Sequence, residues 1–344
     1  MKNPITVIGL DLAKSVFQVH GINAEGEIVC RRKLSRSRVL AYFTKLEPCL
    51  VGMEACATAH HWAREISALG HEVKLMPPQY VKPYVKTQKN DMADAEAICE
   101  AVTRPTMRFV SIKSTNQQAL LVLHGVREQW VRMSTRIINS IRGHLAEFGI
   151  VGAKGRLGVD AVIVMLRDNR DRRIPDLARQ CLIPLVDELK RVKREILETD
   201  RRIAEVHKTN ALSKRLETIP GVGPITATRV IAEVADPASF KSGRAFSAWV
   251  GLVPKQHSSG GRDRLGRITK TGNPALRRLL VAGAMSMIIR ARQLGFTSHP
   301  WLVRLLERKP TKVAAVAMVN TIARMICALM MTKERFNPRK LMPA

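Results

Sequence analysis

The sequence has little acidic charge and few aromatic residues. Only 29 Asp and Glu stand against 57 Lys and Arg, which gives a formal net charge of +28 over 344 residues. Such an excess costs stability through self-repulsion unless a polyanion neutralises it, and nucleic acid is the usual one. The alternative is a solvated basic surface without a partner. With 8 Phe, 4 Trp and 3 Tyr, the chain has little material for reading bases by stacking.

The cysteine pattern excludes a zinc ribbon and a disulfide scaffold. The six cysteines form no CxxC pair and no Cys/His pair at zinc spacing, which is typical of a reduced cytoplasmic protein. Asp11 and Lys14 interrupt the first apolar run, so no signal core is expected. The most apolar late stretch, 313–331, contains Asn320 and Arg324. This favours a buried or interfacial helix in a soluble protein, with no membrane partner.

The basic excess is concentrated in the last third of the chain. Residues 206–344 carry 24 basic and 6 acidic side chains, whereas residues 1–110 carry 15 and 11. We therefore expect the C-terminal part to provide the main phosphate-binding surface, while the N-terminal part concentrates carboxylates.

Short strands alternate with turns and helices over the first 110 residues. The spacing of apolar residues predicts strands at 5–10, 16–21, 27–34, 50–54 and 72–76. It predicts helices from Ser35, as N-cap, to about 45, then over 60–69 and 91–102. Three meandering strands followed by alternating helices and strands is the order of the ribonuclease H-like fold, so we predict an α/β domain of this type.

Two long helices are predicted in the middle of the chain. Residues 113–148 and 182–206 carry apolar side chains three or four residues apart among dense charges, and a Gly- and Arg-rich loop joins them. The pattern indicates an antiparallel coiled-coil arm used for dimerisation, or equally a helical hairpin packed inside one subunit. From about residue 208 the chain is expected to be mostly helical.

Four carboxylates fall at the ends of the N-terminal elements. Asp11 follows the first predicted strand and Glu54 ends the fourth, which lies beside the first in the ribonuclease H topology. Asp91 and Asp94 are three residues apart at the start of a helix, so they face the same way. Singly, each has an ordinary role: Asp11 in a turn, Glu54 paired with Arg64, Asp91 as a cap. Together they repel unless a cation lies between them, and such ligands select Mg²⁺ or Mn²⁺.

A glycine-rich turn divides residues 216–234. The sequence PGVG between two predicted helices is the helix–hairpin–helix pattern. The N–H groups at Gly221 and Gly223 and the start of the second helix can hold a phosphate without reading bases. The alternative is an ordinary helical hairpin in which both glycines only make the turn.

A serine-containing loop follows at residues 249–278. Ser258 and Ser259 precede Gly260 and Gly261 in a segment that we expect to be flexible. Cations surround it: Lys255, Arg262, Arg264, Arg267 and Lys270. A serine among cations lies where a phosphate binds and where the charge of its transition state is stabilised. From the chemistry alone, a nucleophilic serine and a common loop composition both remain open, and we expect His257 to be a bystander.

Several segments together resemble the DEDD transposases of the IS110 class of insertion sequences, relatives of the Piv invertase. The resemblance covers nearly the whole chain in the right order, and the opening segment is most similar to the IS1111 branch. The matching segments are TVIGLDLAKSVFQVHG, VGMEACATAHHWAREI, KNDMADAEAICEA, LETIPGVGPITATRVIAEV, WVGLVPKQHSSGG and KTGNPALRRLL.

This resemblance implies a three-part organisation: a RuvC-like domain over 1–110, a coiled-coil segment over 111–207 and a C-terminal transposase domain over 208–344. It also implies a tetramer that acts on donor and target DNA with a non-coding bridge or seeker RNA. Base pairing would supply sequence choice, and the protein a positive channel that recognises backbone shape.

The resemblance further implies the site residues. The four acidic residues of the family fall on Asp11, Glu54, Asp91 and Asp94, and its nucleophilic serine on Ser259, with Ser258 as the competing choice. The serine would attack the DNA backbone, form a 5′-phosphoserine and leave a 3′ hydroxyl. The acidic site of one subunit would cooperate with the serine of another.

Two other functions compete with this interpretation. One is a metal-dependent nuclease of the Holliday-junction type, in which water attacks and Ser259 is structural. The other is a non-catalytic nucleic-acid-binding protein built on an inactivated form of the fold. The presence of all four carboxylates argues against the second.

Overall fold

The computed structural model describes residues 4–86, 91–153, 155–262, 264–294, 300–332 and 334–337. They form two compact units. The first unit comprises the chain up to residue 117 together with 234–239, and the second comprises 118–233 and the chain from 240 onward. The division into three domains stays a prediction.

A five-stranded mixed sheet forms the centre of the first unit. Its strands are β1 (Val7–Leu12), β2 (Val16–Ile22), β3 (Ile28–Ser35), β4 (Leu50–Glu54) and β5 (Glu72–Met76). The spatial order is β3-β2-β1-β4-β5; β2 runs antiparallel to both neighbours, and β4 runs parallel to β1 and β5. This confirms the α/β fold predicted for the N-terminal part and is consistent with a RuvC-like domain.

Helices cover both faces of this sheet. They are α1 (Val39–Phe43), α2 (Ala59–Ala68), α3 (Pro78–Val81) and α4 (Asp91–Val102). On one face, Phe17, Phe43 and Trp62 share a buried core with α1 and α2. On the other, Val7 and Leu50 pack against buried residues of α4. The predicted bounds of α4 agree with the observed ones.

The segment between β3 and α1 corrects one prediction. Ser35 does not cap a helix: its hydroxyl lies 3.3 Å from that of Ser37, and a short 3₁₀ turn over 36–38 precedes α1. The physical reason is that the N–H of Arg36 donates to the carbonyl of Ser15, so the chain is tied to the β1–β2 turn before the helix begins. The helix is therefore shorter than predicted and ends at Phe43.

Two glycines let α4 approach the sheet closely. A Cβ placed on Gly9 would lie 2.1 Å from the carbonyl oxygen of Ala95 and 2.4 Å from the nitrogen of Cys99. A Cβ on Gly52, in the neighbouring strand, would lie 2.8 Å from Val102. Since the obstacle at Gly9 is helix backbone, no side-chain adjustment relieves it. The distance between α4 and β1 thus depends on a bare backbone at Gly9.

The second unit is mostly helical, as predicted for the C-terminal part. Its elements are α5 (Thr115–Ala146), which begins in the first unit, α6 (Arg156–Arg167), α7 (Asp176–Thr209), α8 (Ala211–Glu217), α9 (Pro224–Glu233), α10 (Gly243–Val250), β6 (Pro254–Gln256), β7 (Leu265–Ile268), α11 (Pro274–Leu294), α12 (Pro300–Arg308) and α13 (Thr311–Met331).

The two long helices pack together within one chain. Arg127 of α5 forms an ion pair with Asp200 of α7, and the guanidinium of Arg191 lies over the ring of Trp130. The predicted loop between the helices is partly wrong, because it contains α6. Val162 and Leu166 of α6 are buried in the same core as α5 and α7. The helical hairpin is therefore present inside one subunit, while its use as a coiled-coil dimerisation arm stays a prediction.

α13 is long and apolar enough to cross a membrane by length and composition. Among the described helices it alone meets this test, and most of its residues are buried inside the second unit. A buried core helix of this composition is weak evidence for a membrane span, in agreement with the expectation of a buried helix.

Gly9→Ala is expected to push α4 away from β1. Overpacking of this kind lowers the free energy of unfolding by about 1–3 kcal/mol, so the thermal unfolding midpoint should fall. The matched control is Gly125→Ala in α5, where a Cβ meets nothing within 4 Å. It should leave the midpoint unchanged or raise it, since Ala favours a helix interior by about 0.5–1 kcal/mol over Gly. A native midpoint for Gly9→Ala would contradict this view of the sheet–helix contact.

Candidate functional site

Three of the four predicted carboxylates meet at the end of β1. Oxygen atoms of Asp11, Asp91 and Asp94 lie within 4.8 Å of one another. Asp11 is the fifth residue of β1 rather than the residue after it, and Asp91 and Asp94 lie in the first turn of α4. Asp11 and Asp94 are half-buried and Asp91 is exposed. The close contact between α4 and Gly9 brings these carboxylates together.

Glu54 lies beside this group without belonging to it. Leu10 is paired with Met53 in the parallel β1–β4 ladder, so the next residues, Asp11 and Glu54, lie side by side on adjacent strands. Both face α4, because Gly9 and Gly52 face it and strand side chains alternate. The three oxygens within 4.8 Å of one another come from the other carboxylates.

The pKa of Cys56 reflects how close Asp11 and Glu54 lie to one another. Burial raises the pKa of its thiol, and the carboxylates of Glu54 and Asp11 raise it further because they disfavour a second negative charge. Both carboxylates therefore act electrostatically at one place, just after β4. The thiol was not singled out by the sequence; its position two residues after Glu54 is the signal that could have found it.

The donor set fits a hard divalent cation. Three carboxylates that converge, with a fourth on the adjacent strand, offer only oxygen ligands, which Mg²⁺ and Mn²⁺ prefer. Three carboxylates this close repel one another, and a cation between them would offset that repulsion. Asp11, Asp91 and Asp94 are thus the residues that could hold a metal ion. Glu54 lies next to Asp11 on the adjacent strand.

Further along α4, the acidic residues have other partners. Glu96 is half-buried, with the ammonium of Lys86 at 2.5 Å and the guanidinium of Arg31 at 3.5 Å. The hydrogen bond from Lys86 is the main reason why the pKa of Glu96 lies below its usual value. Glu100 pairs with Arg104 one turn further along. The carboxylates of Glu96 and Glu100 are therefore engaged in ion pairs and do not belong to the convergent group.

The predicted flexible serine loop is the tip of a β-hairpin. β6 and β7 pair antiparallel, the N–H of His257 donates to the carbonyl of Arg264, and the N–H of Arg262 donates to the carbonyl of Ser259. Gly260 and Gly261, between them, have φ values of 56° and 75°. Positive φ at both central residues is the geometry of a tight hairpin turn and favours glycine. Ser259 is exposed at the first position of this turn.

The two adjacent serines differ in their surroundings. Ser259 is opposite Arg262, and two residues down the hairpin His257 is opposite Arg264. Since side chains alternate along strands, these four residues share one face of the hairpin. Ser258 belongs to the other face, where its hydroxyl accepts a hydrogen bond of 2.9 Å from the amide of Gln256. Ser259 thus has the cationic neighbours.

The base of the hairpin is anchored to the helical core of the second unit. Arg277 of α11 donates to the carbonyl of Val250 at 2.7 Å. A Cβ on Gly251 would lie 2.1 Å from the carbonyl oxygen of Thr271, and one on Gly272 would lie 2.0 Å from that of Trp249. The two chain segments at the base therefore approach at backbone distance. Lys255, Arg267 and Lys270 are exposed along the hairpin and its base.

The glycine-rich turn between α8 and α9 packs against α11. Gly221 has a φ of 82°, and a Cβ on Gly283 of α11 would lie 2.0 Å from its carbonyl oxygen. Gly221 therefore serves the turn and a close helix contact. Gly223 is exposed, and a Cβ there would meet nothing within 4 Å. Phosphate binding by this turn stays a prediction.

One cluster in the second unit has the geometry of a catalytic triad without its accessibility. His207 lies between Ser213, at 2.8 Å, and Glu217, at 2.9 Å. Ser213 is fully buried, so no substrate reaches its hydroxyl. The hydrogen bonds of this cluster join the end of α7 to α8 and stabilise the fold.

The comparisons with known proteins agree with this geometry. A profile of DEDD transposases of the IS110 type matches residues 8–150, which contain the carboxylate group. The profile of the Transposase IS116/IS110/IS902 family matches residues 213–297, which contain the serine hairpin. Together these matches define a DNA transposase, an enzyme of a class that uses a divalent metal ion.

Relatives over the full length give the family. The chain is 46% identical to the transposase-type protein y4pF/y4sB of Sinorhizobium fredii, over 96% of this chain and 85% of that protein. It is 45% identical to a family 20 transposase of Pseudomonas aeruginosa, over 96% and 98%. It is 37% identical to the transposase for insertion sequence element IS1111A of Coxiella burnetii, over 96% and 91%. The chain belongs to the IS110-type family of insertion-sequence transposases.

Asp91→Asn is expected to abolish Mg²⁺-dependent strand cleavage without unfolding the protein, because it removes the negative charge of one of three convergent carboxylates. A titration with Mn²⁺, in which binding is measured by the rise in the thermal unfolding midpoint, should show weaker binding. The matched control is Glu100→Gln, which removes a carboxylate from the same helix outside the group and should bind Mn²⁺ as the native chain does. Unchanged Mn²⁺ stabilisation in Asp91→Asn would remove this residue from the metal site.

Proposed function

We propose that this transposase cuts and rejoins DNA through two groups, the carboxylate cluster Asp11, Glu54, Asp91 and Asp94 and the nucleophile Ser259. The observation that carries the proposal is the hairpin tip, where Ser259 shares an exposed face with Arg262 and Arg264. Guanidinium groups beside a hydroxyl hold a phosphate and stabilise the negative charge that develops on it.

The covalent step balances without a further reactant. The Ser259 Oγ attacks the phosphorus of one DNA strand while the bond from phosphorus to the 3′ oxygen breaks. The serine proton is lost and the leaving 3′ oxygen gains one, which gives a 5′-phosphoserine and a free 3′ hydroxyl. A 3′ hydroxyl of another strand then attacks the phosphoserine and restores the serine. Strand exchange therefore conserves the number of phosphodiester bonds.

A divalent metal ion, Mg²⁺ or Mn²⁺, would supply Lewis-acid stabilisation of the phosphate oxygens. Asp11, Asp91 and Asp94 would hold it, since their oxygens already converge, and Glu54 would complete the set from the adjacent strand. The exposed cations Lys255, Arg267 and Lys270 would bind neighbouring phosphates.

We further infer that the carboxylates and the serine of one working site come from different subunits. This arrangement is the one that the resemblance to the IS110 class implies; the carboxylates belong to one compact unit of the chain and the serine to the other. The helices α5 and α7 would mediate dimerisation as a coiled coil, and two dimers would form a tetramer. The helix–hairpin–helix at Gly221 and Gly223 would contact the DNA backbone.

Guidance by a bridge or seeker RNA fits the same picture. A formal charge of +28 with few aromatic residues suits a channel that recognises backbone shape, leaving sequence choice to base pairing. The partners would then be donor DNA, target DNA and one guide RNA. As an enzyme of bacterial DNA, the protein would act in the cytoplasm on the nucleoid.

Ser259→Ala is expected to eliminate a covalent protein–DNA adduct that forms with a labelled DNA substrate. After denaturation and electrophoresis, the native chain and the control Ser258→Ala should both show the labelled adduct, because only Ser259 shares a face with the arginines. Loss in Ser258→Ala alone would move the nucleophile by one residue. Cleavage by Ser259→Ala without an adduct would favour the metal-dependent nuclease of the Holliday-junction type.

Protein purified from its natural host is expected to retain one defined RNA species encoded beside its own gene. Sequencing of the copurified RNA measures this directly, with total cellular RNA as the reference composition. A sample that contains cellular RNA in its ordinary proportions would remove the guide hypothesis and leave the DNA chemistry untouched.

A further inference from the structure

The strand register places two polar side chains in line with Asp11 across the sheet. Asp11 on β1 is opposite Gln18 on β2, and Gln18 is opposite Lys33 on β3. Because neighbouring strands are about 4.8 Å apart, the backbone of Lys33 lies about 10 Å from that of Asp11 along this row. The sequence separation of these residues gives no sign of the alignment.

The row lies on the face of the sheet that α4 covers. Gly9 faces α4, and Asp11, two residues further along β1, faces the same way. Residues directly opposite each other in antiparallel strands share a face, so Gln18 and Lys33 lie on it too. This is the face on which Asp91 and Asp94 meet Asp11.

The adjacent row shows how a cation of β3 that faces α4 is neutralised. Gly9 is opposite His20 and His20 is opposite Arg31, whose guanidinium lies 3.5 Å from Glu96 of α4. Lys33 has a different environment. It is exposed, and within the described part of the chain no carboxylate oxygen lies within 4 Å of its ammonium group. Its charge is therefore available to an anion from outside.

Gln18 separates this cation from the carboxylates. Gln18 is only 8% exposed. A neutral amide in the middle of the row keeps the ammonium of Lys33 and the carboxylate of Asp11 apart. The side-chain amide of Gln18 carries N–H donors, so the row offers a hydrogen-bond donor beside the cation.

We propose that Lys33, with Gln18 beside it, binds a phosphodiester of the nucleic-acid strand whose neighbouring phosphate lies at the carboxylate cluster. The proposal rests on the proposed function, because the carboxylates must be where a phosphate reacts. It adds a positioning contact for the strand on the β3 side of the sheet. An ammonium group binds phosphate as a point charge, without requiring a fixed direction.

The test is the salt dependence of DNA binding by the full-length protein, with a labelled duplex of fixed length as probe. Lys33→Gln should lower affinity about three- to tenfold at low salt and reduce the slope of log affinity against log salt by about 0.9. Lys33→Arg should restore both values. The matched control is Lys45→Gln, which removes an exposed cation of the first unit outside this row and should leave both values native.

Two further readouts separate this proposal from the proposed function. Mn²⁺ stabilisation of Lys33→Gln should equal that of the native chain, because no ligand of the cluster is removed. A native salt slope in Lys33→Gln, or an equal loss in Lys45→Gln, would overturn the proposal. Failure of the native chain to form the Ser259 adduct would overturn the serine chemistry instead, and the Lys33 contact would still be measured by binding.

Discussion

The contact between α4 and the sheet at Gly9 is the constraint on which the acidic centre depends. Asp91 and Asp94 belong to a helix that is distant in sequence from Asp11, and they meet it because the helix backbone rests directly on β1. A helix displaced from β1 would carry Asp91 and Asp94 away from Asp11. The apolar core shared by Val7, Leu50 and α4 holds the helix in this position.

In the serine hairpin, two glycine-dependent features fix the position of Ser259, one at the tip and one at the base. Its tip is a tight turn made by two glycines, and its base is fixed where glycines allow two backbones to touch. Between these points the alternation of side chains decides that Ser259, and not Ser258, faces the arginines. The exposed side chain of Ser259 is therefore carried by a short hairpin on a helical support, which limits the positions available to its hydroxyl.

Particular residues show how far the sequence reaches. The bounds of α4 and the pairing of Asp91 with Asp94 followed from helical spacing, which is a local property. The predicted cap at Ser35 was wrong because the Arg36 N–H is bound by the distant carbonyl of Ser15. α6 was missed because the glycines and arginines of this segment predicted a loop, although Val159, Val162 and Leu166 are spaced as one apolar helix face that packs in the core with α5 and α7. The packing role of Gly221 on α11 was likewise hidden.

The sequence by itself determined the class of fold, the basic character of the chain and the residue types of the site. Periodicity, net charge and the order of motifs are properties of the linear chain and require no knowledge of tertiary contacts. Only the tertiary structure decided which groups converge. Strand register set Asp11 beside Glu54 and in line with Gln18 and Lys33. The close packing of α4 against Gly9 brought Asp91 and Asp94 to Asp11. Both depend on contacts between segments far apart in the chain, which no local pattern encodes.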